Sequence, residues 1–362
     1  MKTLKIKKVC VVTGSRAEYG LLKNLLSLIK KEKLLSLQLV VTGSHLSKKH
    51  GNTLKEIIKD KFKIKNKVDL KLFGDNTFSI TKSMSLGLSK FVKVYDKNKP
   101  DIVILLGDRY EIFTACCAAS LCRVPIGHIH GGEVTLSSLD EAFRHAISKM
   151  SHLHFTTSEV YKKRVIRMGE SPRNVFNFGP PCIDNIKRCI LLKKESLQST
   201  LNINFKSKIF LITFHPETLL ESDEKNLSNF LSVLKKFKCS KIFTGVNADV
   251  NRSIVYKIIE NFVKSDDSSY YFDSLGRINY LSLMKISHLV LGNSSSGVIE
   301  APLVGVPSIN FGERQKGREK KKSVINCDFK VNNIYKSIET ASNNKFRVMV
   351  KSESKRLLKK YT

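Results

Sequence analysis

Two short polar stretches carry the residue types that move protons. Asp108, Arg109 and Glu111 lie within Gly107-Asp-Arg-Tyr-Glu111, and His130 and Glu133 bracket His130-Gly-Gly-Glu133. Asp140 and Glu141 follow, with Arg144 and His145 one helical turn further on. Carboxylates and an imidazole brought together supply a general acid and a general base. Crowding them raises the pKa of at least one, which suits proton abstraction. Asp140 and Glu141 equally suit the first turn of a helix, where the backbone dipole favours negative charge. His215 stands alone between an apolar run and Pro216, a position open to a structural or a functional role.

A second set of residues suits an anion. Gly292-Asn-Ser-Ser-Ser-Gly297 joins an apolar run to a helical one. Its hydroxyls and the free N–H groups of a helix start could hold a phosphate, and Glu300, one turn on, could accept from a ribose diol. Capping explains one serine there, but three serines and two glycines in six residues exceed what a cap needs. Gly14-Ser-Arg-Ala-Glu-Tyr-Gly20 is a second turn of this kind, with Arg16 as a fixed charge. It is not G-x-G-x-x-G, so no dinucleotide fingerprint is present. There is no P-loop lysine motif and no G-x-S-x-G. His128 with His130, and His152 with His154, are spaced to share a strand face. Without H-E-x-x-H or cysteine partners they do not make a zinc site.

The elements that must position these residues are legible around residues 100–150. Residues 101–106 are an apolar, β-branched run ending at Gly107, residues 113–122 are a small apolar helix, and residues 124–129 are a second buried strand. Strand, polar tip, helix, strand, polar tip is a βαβ unit, and ligands of open parallel sheets bind outside the carboxyl ends of the strands. Further strands are expected at residues 8–13, 37–42, 67–73, 153–157 and 175–178, with helices at 21–30, 52–59, 81–98 and 159–168. Gly179-Pro-Pro181 then breaks the chain. Beyond it, strands are expected at 209–214, 241–245, 270–273, 288–291 and 306–311, with helices at 225–237, 253–264, 280–286 and 298–303, a basic loop at 312–322 and a helical tail from Ile334. Alternation on both sides of the break implies two doubly wound α/β domains facing a cleft, where pockets favour forming.

The 362 residues suit two domains. The formal net charge is +31, with lysines spread through every segment. A basic surface of this kind attracts anions generally; without interleaved aromatics it does not read as a nucleic-acid groove. A phosphorylated substrate suits the same field. The eight cysteines include no C-x-x-C pair and mostly sit in apolar elements, as free thiols of a reducing compartment do. No secretory h-region opens the chain and no run approaches the ~20 apolar residues that span a bilayer. A cytoplasmic protein with no membrane or nucleic-acid partner is expected.

In combination these motifs resemble the hydrolysing UDP-N-acetylglucosamine 2-epimerases of bacterial sialic acid synthesis. The resemblance rests on Gly14–Gly20, Gly107–Glu111, His128-Ile-His-Gly-Gly-Glu133, Asp140-Glu-Ala-Phe-Arg-His145, Phe214-His-Pro-Glu217, Gly292–Gly297 with Glu300, and Arg314-Gln-Lys-Gly-Arg318. It implies two Rossmann-like domains of the glycosyltransferase-B type: residues 1–180 carrying the catalytic cluster, residues 181–345 binding UDP, and a helix at 346–362 packing back on the first domain. It implies conversion of UDP-N-acetylglucosamine and water to N-acetylmannosamine and UDP, by elimination then hydration, with no metal or nicotinamide. A homo-oligomer, dimer or tetramer, is expected. The candidate catalytic set is Asp108, His130, Glu133, Asp140, Glu141 and His215. The candidate substrate- and nucleotide-binding set is Arg16, Arg109, Arg144, Asn247, Ser294, Ser295, Glu300 and Arg318. Many members read E-G-G-E where this chain has His130-Gly-Gly-Glu133, so which of His130 and Glu133 moves the proton stays open. A related class acts on UDP-2,4-diacetamido-2,4,6-trideoxyglucose in legionaminic acid synthesis and shares Ile183-Asp-Asn-Ile186. Other readings are a glycosyltransferase of the same fold and a nucleic-acid-binding protein.

Overall fold

A computed structural model describes residues 5–47, 53–74, 76–135, 139–215, 223–245 and 252–360, excepting the side chains of Asp223 and Arg252. The chain divides into two compact units, one made mostly of the residues up to Pro181 and the other mostly of those from Cys182.

The first unit runs β1 (Lys7–Thr13), α1 (Arg16–Lys31), β2 (Leu35–Thr42), α2 (Leu54–Lys59), β3 (Ile64–Val68), α3 (Thr77–Asn98), β4 (Ile102–Leu106), α4 (Tyr110–Leu121), β5 (Ile126–Ile129), α5 (Asp140–Met150), β6 (Leu153–Thr156), α6 (Glu159–Arg167) and β7 (Val175–Asn177). The strands pair in the order β3-β2-β1-β4-β5-β6-β7, and every recorded pairing is parallel. Both faces of this sheet are covered. Cys10 and Val12 pack with the α3 and α4 side, Val9 and Val11 with the α1 and α2 side. Such strands read as apolar runs without alternation, which is why the central ones were visible in the sequence.

The second unit runs α7 (Cys182–Arg188), α8 (Lys194–Leu201), β8 (Ile209–Thr213), α9 (Asp223–Leu234), β9 (Ser240–Thr244), α10 (Arg252–Lys264), β10 (Ser269–Phe272), α11 (Gly276–Ile286), β11 (Leu289–Gly292), α12 (Ser295–Val304), β12 (Ser308–Phe311), β13 (Val324–Cys327), α13 (Val331–Ser342) and α14 (Asn344–Lys360). Its order is β10-β9-β8-β11-β12-β13, again parallel. Each sheet therefore reverses its winding once, between β1 and β4 and between β8 and β11. The carboxyl ends at such a reversal are where doubly wound sheets bind ligands.

Several expected boundaries shift for local reasons. The strand expected at 67–73 is β3, Ile64–Val68. Beyond it the Asp69 side chain accepts from the Lys71 N–H at 2.8 Å and Lys71 takes a left-handed φ of 47°, which ends extension. α7, α8 and β13 carry too little apolar periodicity to be expected from sequence. β13 is an edge strand, mostly half-exposed, whose entry is held by Glu353 of α14 accepting from the N–H groups of Lys322 and Ser323 at 3.0 and 2.8 Å. α14 packs on α12 and α13 of the second unit, where Ser354 donates to the Leu303 carbonyl at 2.7 Å. All eight cysteines are free thiols.

The second unit also buries a charge away from its ligand-binding edge. Lys241 of β9 is 2% exposed and its Nζ lies 2.8 Å from Asp266 Oδ2. Burial would raise the Asp266 carboxyl, but donors from Lys241, Ser269 and Ser268 outweigh it and hold the group well below the usual carboxylate range. Asp266→Ala leaves the ammonium unpaired, and we expect a loss of about 3–5 kcal/mol in urea unfolding. Lys241→Met with Asp266→Leu should recover most of it. A loss under about 1 kcal/mol in the single variant would contradict the assignment.

Candidate functional site

At the reversal of the first sheet, β1 delivers Gly14-Ser15-Arg16 and β4 delivers Gly107-Asp108-Arg109. Ser15 caps α1: its hydroxyl accepts from the Glu18 N–H, while the Glu18 carboxylate accepts from Gly14 N–H at 2.7 Å and Ser15 Oγ at 2.9 Å. This S-x-x-E capping box puts a buried carboxylate under the turn that Arg16 opens. Glu111, fully buried at the start of α4, accepts from Arg109 Nε at 3.2 Å. Burial, reinforced by the neighbouring Glu111 charge, pushes the Glu18 carboxyl up to about 7; the Gly14 N–H, Arg109 and Ser15 pull in the opposite direction.

The next two strand ends carry the acid–base candidates. Arg144 of α5, 3% exposed, forms ion pairs with Asp108 and with Glu141, the latter at 3.1 Å, and Glu141 also meets His145 Nε2 at 2.9 Å. One guanidinium thus holds two candidate carboxylates, leaving Asp108 with 18% of its side chain exposed. Asp140 opens α5 beside Glu141. At the end of β5, His130 sits at a left-handed φ of 72°, unusual for a residue with a side chain. Its Nδ1 lies 2.9 Å from Glu133 Oε1, and the same oxygen accepts from Thr157 Oγ1 at 2.7 Å. Gly132 makes the turn possible: φ is 76°, and a Cβ there would lie 2.6 Å from the Tyr161 carbonyl. His130 Nε2 is buried and has no hydrogen-bond partner among the described residues.

Three other histidines near this edge are structural. His128 donates from Nε2 to the Gly107 carbonyl at 2.8 Å and accepts at Nδ1 from Ser148 at 3.1 Å. His45 lies between Thr13 and Thr53 at 3.0 and 2.7 Å. Burial lowers both to about 4, so each stays neutral. His154 pairs with Glu170. Among the described residues no group of three or more His, Cys, Asp or Glu side chains could hold a metal, and no helix is long and apolar enough to cross a membrane.

In the second unit the reversal brings His215, after β8, against the Gly292–Gly297 loop after β11. Asn293, fully buried, spans the two strand ends: its Oδ1 accepts from the His215 N–H and its Nδ2 donates to the His215 carbonyl, both at 2.7 Å. Gly292 allows that approach. Its φ is 128°, and a Cβ would fall 1.9 Å from the Thr213 carbonyl. Ser294 caps α12 by accepting from the Ser296 N–H, and Ser296 meets Tyr280 at 2.5 Å. Ser295 is the first residue of α12 and Glu300 lies in its second turn, half-buried. Arg318 donates to Gln315, whose amide donates to the Asn293 carbonyl at 2.9 Å. His215 thus follows β8, Ser294 and Ser295 stand where β11 enters α12, Glu300 lies in α12, and Arg318 lies in the basic loop after β12. Asn247 lies outside the described residues, as do Pro216 and Glu217.

Sequence reasoning did not single out Glu18, Asn293, Gln315 or Thr157. The S-x-x-E pattern could have flagged Glu18. Thr157 carried no local signal, since it reaches Glu133 only because β5 and β6 pair.

Comparison with known proteins bears on these geometries. The family described as UDP-N-acetylglucosamine 2-epimerase matches residues 27–358. A GDP/UDP-N,N'-diacetylbacillosamine 2-epimerase (hydrolyzing) of Campylobacter jejuni is 42% identical over 94% of this chain and 89% of its own length. A polysialic acid biosynthesis protein of Escherichia coli is 41% identical over 96% and 90%. Among solved structures, UDP-GlcNAc 2-epimerase from Neisseria meningitidis bound to UDP-GlcNAc superposes with a TM-score of 0.76 at 22% identity, covering 98% of this chain and 99% of that one. That likeness shows the fold, two Rossmann-like units of the glycosyltransferase-B type.

The raised Glu18 carboxyl has a consequence for stability. Its folded pKa, about 7, exceeds the value near 4.5 expected when unfolded, so the native state binds the proton more tightly. Its contribution is fully present below pH 4.5 and is lost as pH rises through 7, by up to about 3 kcal/mol. Glu18→Gln removes that titration. The stability of the wild type relative to this variant should fall between pH 4.5 and 8 in urea unfolding; a constant difference would contradict the assignment.

Proposed function

Because the chain belongs to the UDP-N-acetylglucosamine 2-epimerase family, we propose that it is a hydrolysing 2-epimerase of a UDP-linked 2-acetamido sugar, releasing the free 2-epimeric sugar and UDP. The observation that carries the reading is His130 Nε2: a buried imidazole nitrogen without a partner, at a strained backbone position, on the strand next to the Asp108 end. A base is needed in such a place. The C2 proton of the sugar has no adjacent carbonyl, so its removal is feasible only as UDP departs. In the first stage His130 Nε2 takes the C2 proton, the electron pair of that bond forms C1=C2, and the C1–O bond breaks with its electrons leaving on UDP. In the second, water adds through oxygen to C1 and a proton returns to C2 on the opposite face, with Asp108 or Glu141 as the other acid–base group. Arg144 pairs with both carboxylates and orients them. The Gly292–Gly297 loop, Glu300 and Arg318 suit the nucleotide, through helix N-terminal donors, a ribose contact and a fixed positive charge.

UDP-N-acetylglucosamine is the substrate we favour, in sialic acid-type synthesis. UDP-N,N'-diacetylbacillosamine, the 2,4-diacetamido-2,4,6-trideoxy sugar, is a second reading, favoured by the name of the 42% identical relative. Action in the cytoplasm and assembly as a homo-oligomer are parts of the same proposal.

Incubation with each UDP-sugar, followed by proton NMR, tests it. Free 2-epimeric sugar and UDP are expected from one of the two. A UDP-linked epimer accumulating without free sugar would contradict hydrolysis. Asp108→Asn preserves size and hydrogen bonding but removes the carboxylate; it should lower turnover by on the order of 10²-fold or more while calorimetric affinity for UDP stays nearly intact.

A further inference from the structure

Glu133 sits beside His130 in sequence and is buried to 1% exposure, which removes it from ready contact with a sugar. Its position is set from several sides. The preceding Gly132 carbonyl accepts from Arg164 of α6, Gly132 itself abuts Tyr161 and Val165, and the His130 N–H donates to the Phe155 carbonyl of β6 at 3.1 Å. Thr157, 6% exposed and one residue past β6, directs its hydroxyl at Glu133 Oε1, the oxygen that faces His130 Nδ1.

A carboxylate is acceptor-only, so the ring nitrogen facing it must carry the hydrogen. In a neutral imidazole the other nitrogen, Nε2, then holds the lone pair. That is the nitrogen left without a partner. A free imidazole favours the opposite tautomer, with the proton on Nε2, and would present a donor where a base is needed. The orientation of Glu133 therefore decides whether His130 can accept a proton at all, and Thr157 fixes which carboxylate oxygen is presented.

We propose that Glu133 and Thr157 are positioning residues that lock His130 in its Nδ1–H form, so that Nε2 is the proton acceptor. This rests on the reading of His130 as the base, and moves Glu133 from the reacting groups to their support. The chain of three is built across β5 and β6: Thr157 enters through strand pairing, Glu133 through the turn, and His130 through its left-handed backbone.

Long-range proton–nitrogen spectra of protein labelled with ¹⁵N-histidine read the tautomer directly, with the His130 resonance assigned by its loss in His130→Asn. At pH 8.5 the wild type should show Nδ1–H, and Glu133→Ala should move the resonance towards Nε2–H. Turnover should fall about 10²-fold in Glu133→Ala and about tenfold in Thr157→Val, with KM changed less than threefold in both. Thr157→Ser, which keeps the hydroxyl, should stay within twofold of wild type. If Glu133→Ala fails to fold, the Thr157 pair and the wild-type tautomer still decide. An Nε2–H resonance in a wild-type enzyme that His130→Asn inactivates would overturn the inference alone. Equal loss in Thr157→Ser and Thr157→Val would do the same. Full turnover by His130→Asn would instead remove the reading on which it rests.

Discussion

Desolvation governs the carboxyl edge of the first sheet. Parallel strands covered on both faces leave the strand ends as the place where polar groups meet the ligand, yet the same covering buries those groups. Glu18, Glu111, Glu133 and Arg144 are all 5% exposed or less. A buried charge is tolerated only when paired and hydrogen-bonded, and each of these is answered: Glu18 by the turn it caps, Glu111 by Arg109, Glu133 by Thr157 and His130, Arg144 by two carboxylates. Beside these paired groups, His130 Nε2 is buried with no hydrogen-bond partner among the described residues, a condition that His145 Nδ1 and His154 Nδ1 share. Chemistry of the kind proposed needs a base in that condition, dry and uncommitted until a substrate arrives.

The second unit answers the same constraint with neutral groups. Asn293 holds His215 through two main-chain hydrogen bonds and accepts Gln315 on its own carbonyl. Ser294 is occupied as a helix cap and Ser296 by Tyr280. These bonds occupy two of the three serines, so what the loop offers outward is the start of α12 rather than all three serine hydroxyls. An anion suits it better than a proton-transfer step does.

Much of this was legible in the sequence, for physical reasons that also explain what was not. The strands carrying Asp108 and His130 were readable because burial on both faces makes them continuous apolar runs that stop at glycine. The doubly wound class followed from their alternation with helices. β3 was displaced in the reading because Lys71 ends extension with a left-handed turn that its sequence does not announce. β13 was missed because an edge strand needs no apolar run. The ion pair of Asp108 with Arg144 joins two motifs already singled out, yet nothing in either predicts it. The contact of Thr157 with Glu133 depends on which strands are neighbours, and single-sequence reasoning sees residue types and periodicity, not pairing. The family resemblance carried the candidate set across this gap; the hydrogen bonds then separated structural histidines such as His128 and His45 from His130.

The account stands or falls on proton transfer at C2 through a group that exchanges with solvent. The most direct measurement is the isotopic content of the sugar released when the reaction runs in D₂O. Elimination followed by hydration returns a solvent-derived hydrogen to C2, so the product should carry deuterium there, seen as loss of the C2 proton signal and collapse of its coupling to the anomeric proton. Product retaining protium at C2 would mean that the carbon never lost its hydrogen to the protein, and would contradict the elimination route and the role given to His130.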